Sequence, residues 1–281
     1  MSDDMTEGVG MVQAAASEDI TGELAAVVLA AGAGTRLRPL TDILPKALCP
    51  VNNVALVDLA IDRVRPLTER VAVNVHHGRA VLEAHLAGRV HVSVEPELLG
   101  TAGALGRLRD WVDGRPAVVV NADGWHSFDL SALLEGWDGE RVRLMVVDDP
   151  RRGDFGRWRA CGASVMPWSE VDALPASFGG LYDACWGPRW AEGRLDLVPS
   201  DGPFIDCGTP ADYLAANLAA SGGASVVGRG ARVEGELVRS VVWPGGVVRR
   251  SERLVDCIRI GEEMTVYAGR RERPVPSEEE R

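Results

Sequence analysis

The chain reads as an α/β protein whose mostly parallel sheet is followed by a short, left-handed β-helix-like segment. Three features of the sequence carry that expectation. Short apolar runs alternate with helix-patterned stretches from Leu24 to about Ala220, the order that builds layered folds on parallel strands. The first of these runs, AAVVLA, ends in a glycine-rich loop. From Ala224 to about Ala268, aliphatic residues recur every six positions between glycines and charges, which is the step of a parallel β-helix.

Taken in order, residues 1–23 are small and polar and read as a disordered tail. Residues 24–220 form the main domain. Its expected strands are Ala25–Ala30, Val71–Val75, Val90–Glu95, Ala117–Asn121 and Val142–Val147. Its expected helices are Val54–Val64, Ala80–Leu86, Ala104–Val112, Leu130–Trp137 and Ala211–Ala219. Ligands of such sheets collect at the carboxyl ends of the strands. Residues 221–268 form the β-helix-like extension. There Val227 and Val233 make one sixfold step and, after a break in phase, Val242, Val248, Leu254 and Ile260 continue it. An ordinary antiparallel set of strands is the alternative. Residues 269–281 are dense in charge and read as a second disordered tail.

Composition narrows the function. Of 281 residues, 30 are Lys or Arg and 41 are Asp or Glu, a net charge of −11 that gives no footprint for nucleic acid or an anionic membrane. An anionic substrate must therefore meet a local cluster of cations. No apolar run approaches the roughly 20 residues that cross a bilayer, and the start MSDDMTEGVG lacks the basic and apolar regions of a secretory signal. Cys49, Cys161, Cys185, Cys207 and Cys257 are scattered without a C-x-x-C pair, which argues against a disulfide framework or a zinc knuckle. The expectation is a cytoplasmic protein.

The cluster of cations lies in the loop after the first strand, AGAGTRLRPLTDILPKALCPV. Gly32 and Gly34 let the backbone turn sharply and bring amide groups against a phosphate chain. Thr35 adds a hydroxyl, and Arg36, Arg38 and Lys46 place three cations around the turn. The string is not a P-loop, and a dinucleotide fingerprint would need a glycine where Leu37 stands.

The full string from Leu29 to Lys46, LAAGAGTRLRPLTDILPK, resembles the signature of sugar-1-phosphate nucleotidyltransferases. Three later segments resemble that family's landmarks in the same order: VEPELLGTAGAL (Val94–Leu105), VVVNADGWHSFDL (Val118–Leu130) and FIDCGTPADYLAAN (Phe204–Asn217). The resemblance implies a Rossmann-like catalytic domain that joins a nucleoside triphosphate and a sugar 1-phosphate, giving a nucleotide sugar and pyrophosphate. It implies that Arg36 and Lys46 are catalytic, and that Leu29, Ala30, Ala31, Gly32, Gly34, Thr35, Glu95, Gly100 and Thr101 hold the nucleotide. It further implies that Gly162 faces the sugar and that Asp123 and Asp206 bind Mg²⁺. Taken alone, each aspartate also suits a turn or a helix cap.

Two points qualify the match. Many members grip the sugar phosphate with an E-K-P lysine, and the corresponding stretch here, VVDDPRRGDFGRWRACGASVMPW, has none. Arg157 or Arg159 is the substitute on offer, although an arginine fork differs from a lysine point charge. Glu95 stands where members place a residue against the base. A carboxylate accepts hydrogen bonds, and guanine presents two adjacent donors where uracil presents one, which tilts the donor toward GTP over UTP. Landmarks of this kind occur in both mannose-1-phosphate guanylyltransferases and N-acetylmuramate-1-phosphate uridylyltransferases. His76 and His77 read as strand-end residues. The rival reading is a catalytically silent regulatory subunit that binds nucleotide sugar. Retention of Arg36, Lys46, Asp123 and Asp206 argues for the enzyme. The β-helix-like segment offers a route to a homo-oligomer.

Overall fold

The apolar runs of the main segment become strands: β1 (Ala25–Leu29), β2 (Val71–Val75), β3 (His91–Val94) and β4 (Ala117–Asn121). A short β5 (Gly124–His126) follows, then β6 (Val142–Asp148), β7 (Trp158–Met166), β8 (Leu195–Pro199) and β9 (Phe204–Asp206). The computed structural model describes residues 24–268, so both expected tails, residues 1–23 and 269–281, lie outside it. Seven strands form one sheet in the order β8-β6-β7-β4-β1-β2-β3. Every neighbouring pair is parallel except the two made by β7.

The sheet is buried on both faces, as parallel sheets are. Ala26, Val28 and Ala30 enter one apolar layer, while Ala25, Val27 and Leu29 enter the other. Helices α1 (Leu56–Val64), α2 (Arg79–Leu86) and α3 (Gly100–Arg107) supply much of the covering. The expected helix over Ala104–Val112 begins earlier, at Gly100, and breaks at Leu108 before a short turn over Arg109–Val112. The expected helix over Leu130–Trp137 shrinks to a single 3-10 turn, Leu130–Leu133, opened by the Asp129 carboxylate. Strand β7 answers to no sequence expectation, because Arg159, Cys161, Gly162 and Ser164 interrupt its apolar residues. Among the described residues no helix is long and apolar enough to cross a membrane.

Register sets the site. Leu29 at the end of β1 lies between Asn74 of β2 and Asn121 of β4, so three strands finish side by side beneath the glycine loop.

Helix α4 (Pro210–Ala220), capped by the Thr209 hydroxyl, leads into the C-terminal segment. That segment winds with three strands per turn: β10 (Val226–Val227), β11 (Arg232–Val233) and β12 (Glu236–Val238), then β13 (Val241–Val242), β14 (Val247–Val248) and β15 (Arg253–Val255). Each strand of the first turn pairs in parallel with its counterpart in the second. A third-turn strand, β16 (Cys257–Ile260), is closed by the antiparallel β17 (Met264–Tyr267). The coils are thus β-helix-like, with Val242, Val248 and Leu254 in their interior.

Two expected interior residues are placed differently. Val227 sits at the open end of its column and is 43% exposed, while its neighbour Val226 packs toward α4. Ile260 packs against the α4 side, and Arg259 takes the position beneath Val242 instead. There the Arg259 guanidinium bonds to the Glu252 carboxylate and to the carbonyls of Glu262 and Val247. The coil docks through Trp243, whose indole N–H donates to the Tyr213 hydroxyl at 3.0 Å, and that hydroxyl donates to the Pro50 carbonyl.

Strand β5 buries His126, with its ring stacked on Phe128 and neither ring nitrogen hydrogen-bonded. Burial, reinforced by the nearby Arg63 guanidinium, pushes its pKa down from 6.5 to about 3. The unfolded chain binds a proton that the native ring refuses. The contribution of His126 to stability is therefore fully present above pH 6.5 and is lost as the pH drops toward 3. His126→Phe, which keeps the stacking and removes the titration, should flatten this slope in thermal melts between about pH 7 and pH 4. An unchanged slope would show that His126 does not contribute.

Candidate active site

The glycine loop leaves β1 and folds over Lys46. The Ala30 N–H donates to Asn74 Oδ1 at 2.7 Å, fixing where the loop begins. Gly34 adopts φ +61°, and a Cβ there would lie 2.8 Å from the Cβ of Lys46, so only glycine allows the approach. The Thr41 hydroxyl donates to the Gly34 carbonyl at 3.0 Å and closes the turn. A 3-10 turn, Thr35–Leu37, then buries Leu37 and leaves Arg36 exposed.

Beneath the loop lies a cavity of about 350 Å³. Of the expected site residues, Leu29, Ala30, Ala31, Gly32, Gly34, Thr35, Arg36, Lys46, Gly100, Thr101 and Asp123 line it. Glu95, Gly162 and Asp206 do not line it. Asn74 also lines it, as do Leu98, Asn121 and Gly208, which lie in the family-like segments but are not among the expected site residues. The asparagines were legible only as polar residues inside or at the end of apolar strands.

Charge is concentrated at one end. Lys46, the single lysine of the chain, is buried. Its ammonium lies 3.0 Å from Asp123 Oδ2 and 3.5 Å from Asp206 Oδ1. Arg36 reaches Asp206 Oδ2 at 3.5 Å. The two aspartates meet because β5 and β9 pair with Asp206 opposite Gly124, and the Cys207 N–H donates to the Asp123 carbonyl at 3.0 Å. A Cβ on Gly208 would stand 3.0 Å from the Arg36 guanidinium, so glycine keeps that side chain's place open.

Asp206 Oδ1 is buried without a hydrogen bond. Two converging carboxylates, one with an oxygen that is held by the Lys46 charge without a hydrogen bond, fit a hard divalent cation of the kind that also uses substrate phosphates and water. Among the described residues no group of three or more His, Cys, Asp or Glu side chains gathers for a metal. Burial pushes the neighbouring Cys207 thiol up to about 12, with Lys46 opposing, so it remains protonated and is no ready nucleophile.

Glu95 is turned inward and is 2% exposed. Its Oε1 accepts from Asn74 Nδ2 at 2.7 Å and its Oε2 from the Leu99 N–H at 3.0 Å. Both oxygens are thus engaged within the protein. Gly162 adopts φ +66° and backs directly onto Asn121, whose Nδ2 a Cβ would meet at 2.8 Å. Arg157 pairs with Asp148 through two hydrogen bonds. Arg159 lies over the Phe204 ring, 5.1 Å from its centroid, with Asp149 at 3.8 Å. His76 and His77 contact the carbonyls of Glu95 and Ala31 at the strand ends.

Helix α3 is held by its glycines. Cβ atoms on Gly100, Gly103 and Gly106 would come within 2.4 Å of the carbonyl oxygens of Gly179, Ser177 and Pro175, so helix and segment touch backbone to backbone. Ala102 N–H donates to Gly179, Gly179 N–H to Leu99, and Leu181 N–H to the Thr101 hydroxyl.

Residues 25–157 match the model of the family described as Nucleotidyl transferase, and this segment is a nucleotidyltransferase domain. An N-acetylmuramate alpha-1-phosphate uridylyltransferase from Caulobacter vibrioides is 37% identical over 136 residues, 43% of this chain and 56% of its own length. One from Neisseria meningitidis is 33% identical over 158 residues, 52% of this chain and 66% of its own. A mannose-1-phosphate guanylyltransferase from Mycobacterium tuberculosis is 31% identical over 167 residues, 56% of this chain and 44% of its own. The matches therefore span roughly half to two thirds of these relatives. A solved UDP-glucose pyrophosphorylase from Acinetobacter baumanii shares the fold with a TM-score of 0.58 at 18% identity, over 69% of this chain and 92% of that one.

The glycine stripe yields a test. Within a helix Gly→Ala normally gains about 1 kcal/mol of helix propensity. At Gly103 the collision with the Ser177 carbonyl should reverse the sign, so that Gly103→Ala loses about 1–3 kcal/mol in denaturant unfolding. A stabilised variant would show that segment 175–179 yields to the methyl group.

Proposed function

We propose that the chain transfers a nucleotidyl group from a nucleoside triphosphate to a sugar 1-phosphate and releases pyrophosphate. The observation that supports this most is the placement of Lys46, Arg36 and Asp123 in the lining of the glycine-loop cavity, with Asp206 held against both cations. On this reading residues 24–220 are the catalytic unit and residues 221–268 a docked extension.

An oxygen of the sugar phosphate attacks the α-phosphorus in line; one P–O bond forms as the bond to the pyrophosphate oxygen breaks. No covalent enzyme intermediate is required, in keeping with the protonated state of Cys207. The work of the residues is to position the reactants and neutralise their charge. The loop amides around Gly32 and Gly34 cradle the triphosphate. Arg36, exposed at the loop's edge, follows the leaving phosphates. Lys46 faces the reacting phosphates from below. Asp123 and Asp206 would hold Mg²⁺, whose chemistry is to screen the charge of the phosphates.

Glu95 does not decide the donor. Its carboxylate is engaged by Asn74 and Leu99, which removes the physical reason for placing GTP ahead of UTP. With uridylyltransferases at 37% and 33% identity, UTP is the first donor to examine. Arg159, less committed to an ion pair than Arg157, is the cation available to the sugar phosphate.

Pyrophosphate release should require Mg²⁺, a nucleoside triphosphate and a sugar 1-phosphate together. Crossing UTP and GTP with N-acetylated and plain hexose 1-phosphates names both substrates. Asp123→Asn should lower kcat by about 100-fold or more while circular dichroism stays native. Near-normal turnover would take Asp123 out of the reaction centre. Wild-type silence with retained nucleotide-sugar binding would favour the regulatory reading.

A further inference from the structure

Two parts of the cavity lining are tied by a buried chain of hydrogen bonds. The cavity lining includes Ala30, where the glycine loop leaves β1, and also Leu98 and Gly100, which flank Leu99. Between them run Ala30 N–H to Asn74 Oδ1 at 2.7 Å, Asn74 Nδ2 to Glu95 Oε1 at 2.7 Å, and Leu99 N–H to Glu95 Oε2 at 3.0 Å. Asn74 and Glu95 are 3% and 2% exposed, so water does not substitute for a lost partner. The Glu95 backbone is itself pinned, its N–H donating to the Val75 carbonyl at 2.9 Å.

The polarity of this chain is fixed at both ends. Each end is a backbone N–H, which can only donate. Asn74 must then turn its oxygen to Ala30 and its amide nitrogen to residue 95. Residue 95 faces donors from two sides and must accept with both terminal atoms. A carboxylate does this; an amide presents an N–H₂ to one of the two donors. The acidic character of position 95 is explained by its protein partners, with no contact to a base required.

We propose that Asn74 and Glu95 form a relay coupling the start of the glycine loop to the lining around Leu98–Gly100, and that both are positioning residues for the nucleoside triphosphate. This inference rests on the nucleotidyl-transfer reading for the identity of the ligand. A shift of the Leu99 segment is felt at Ala30, the first residue of the glycine loop, through three short bonds. Placement of the base and alignment of the triphosphate are therefore set together.

The polarity argument supplies its own test. Glu95→Gln sets an amide N–H₂ against a donor, and Asn74→Asp sets two carboxylates face to face. The double exchange, Asn74→Asp with Glu95→Gln, restores every bond with the charge moved: Ala30 N–H to the new carboxylate, the new amide N–H₂ to that carboxylate, and Leu99 N–H to the new amide oxygen. Each single variant should raise the KM for the nucleoside triphosphate about tenfold. The KM for the sugar 1-phosphate should stay near wild type, and the double exchange should return the nucleotide KM to within about threefold. Thermal melts of all three variants separate misfolding from misplacement, and the near-isosteric Glu95→Gln remains informative if Asn74→Asp fails to fold.

Wild-type KM values in both single variants would overturn the relay. So would a folded double exchange that binds no better than the worse single variant. Calorimetric titration with UTP and GTP reads the same pattern in Kd without turnover. A wild-type chain that binds nucleotide but transfers nothing would overturn the transfer reading and leave the relay to be judged by Kd. A chain that binds neither nucleotide overturns both.

Discussion

Two carboxylates brought together at the end of a sheet repel each other, and that repulsion must be answered by a cation on the spot. Lys46 answers it here, 3.0 Å from Asp123 and 3.5 Å from Asp206. At such distances near a protein surface, a pair of opposite charges attracts by about 4 kcal/mol before desolvation is subtracted. Much of the local architecture serves to keep this ammonium in place. Gly34 lets the loop lie directly on the lysine stem, and Gly208 leaves room for Arg36 to balance the remaining carboxylate oxygen. The arrangement is balanced in charge without ligand and rich in groups suited to phosphate, so a polyanion can enter without meeting an uncompensated field.

The rest of the molecule delivers those groups from far apart in sequence. The parallel register ends β1, β2 and β4 together, which puts the glycine loop, Asn74 and Asn121 on one floor. The small β5–β9 ribbon carries Asp206 to Asp123 across roughly two fifths of the main segment. Immediately after Asp206, Thr209 caps α4, and α4 supports the C-terminal coils through Tyr213 and Trp243. The coils are thus linked to the Lys46–Asp123–Asp206 cluster by one continuous stretch of packed chain. The glycine stripe of α3 ties segment 175–179 to the cavity lining, where helix and segment meet without side chains between them.

What the sequence revealed and concealed divides along physical lines. Strands with dense aliphatic runs, such as VAVNV and AVVVN, were legible, as was the density of glycine and cations after β1, because each follows from local composition. Strand β7 was not, since its Arg159, Gly162 and Ser164 are accommodated by antiparallel neighbours that no local pattern announces. Glu95 was legible as an acceptor but not by its protein partners: a sequence shows that a carboxylate accepts, and only packing shows that Asn74 and the Leu99 N–H donate to it. The coil's sixfold rhythm was real, yet it slipped at Ile260 because the last turn takes in Arg259 and ends the apolar column with a salt bridge.

The 30 basic residues comprise 29 arginines and Lys46. The molecule therefore has one side-chain primary amine, and it stands at the convergence of loop, strand and ribbon. Amine chemistry is accordingly an address in this protein. Reductive methylation with a labelled carbon would plant a spectroscopic reporter at the centre of the cavity, with the chain terminus as the one other amine. The surface cations, all guanidinium groups, would remain silent.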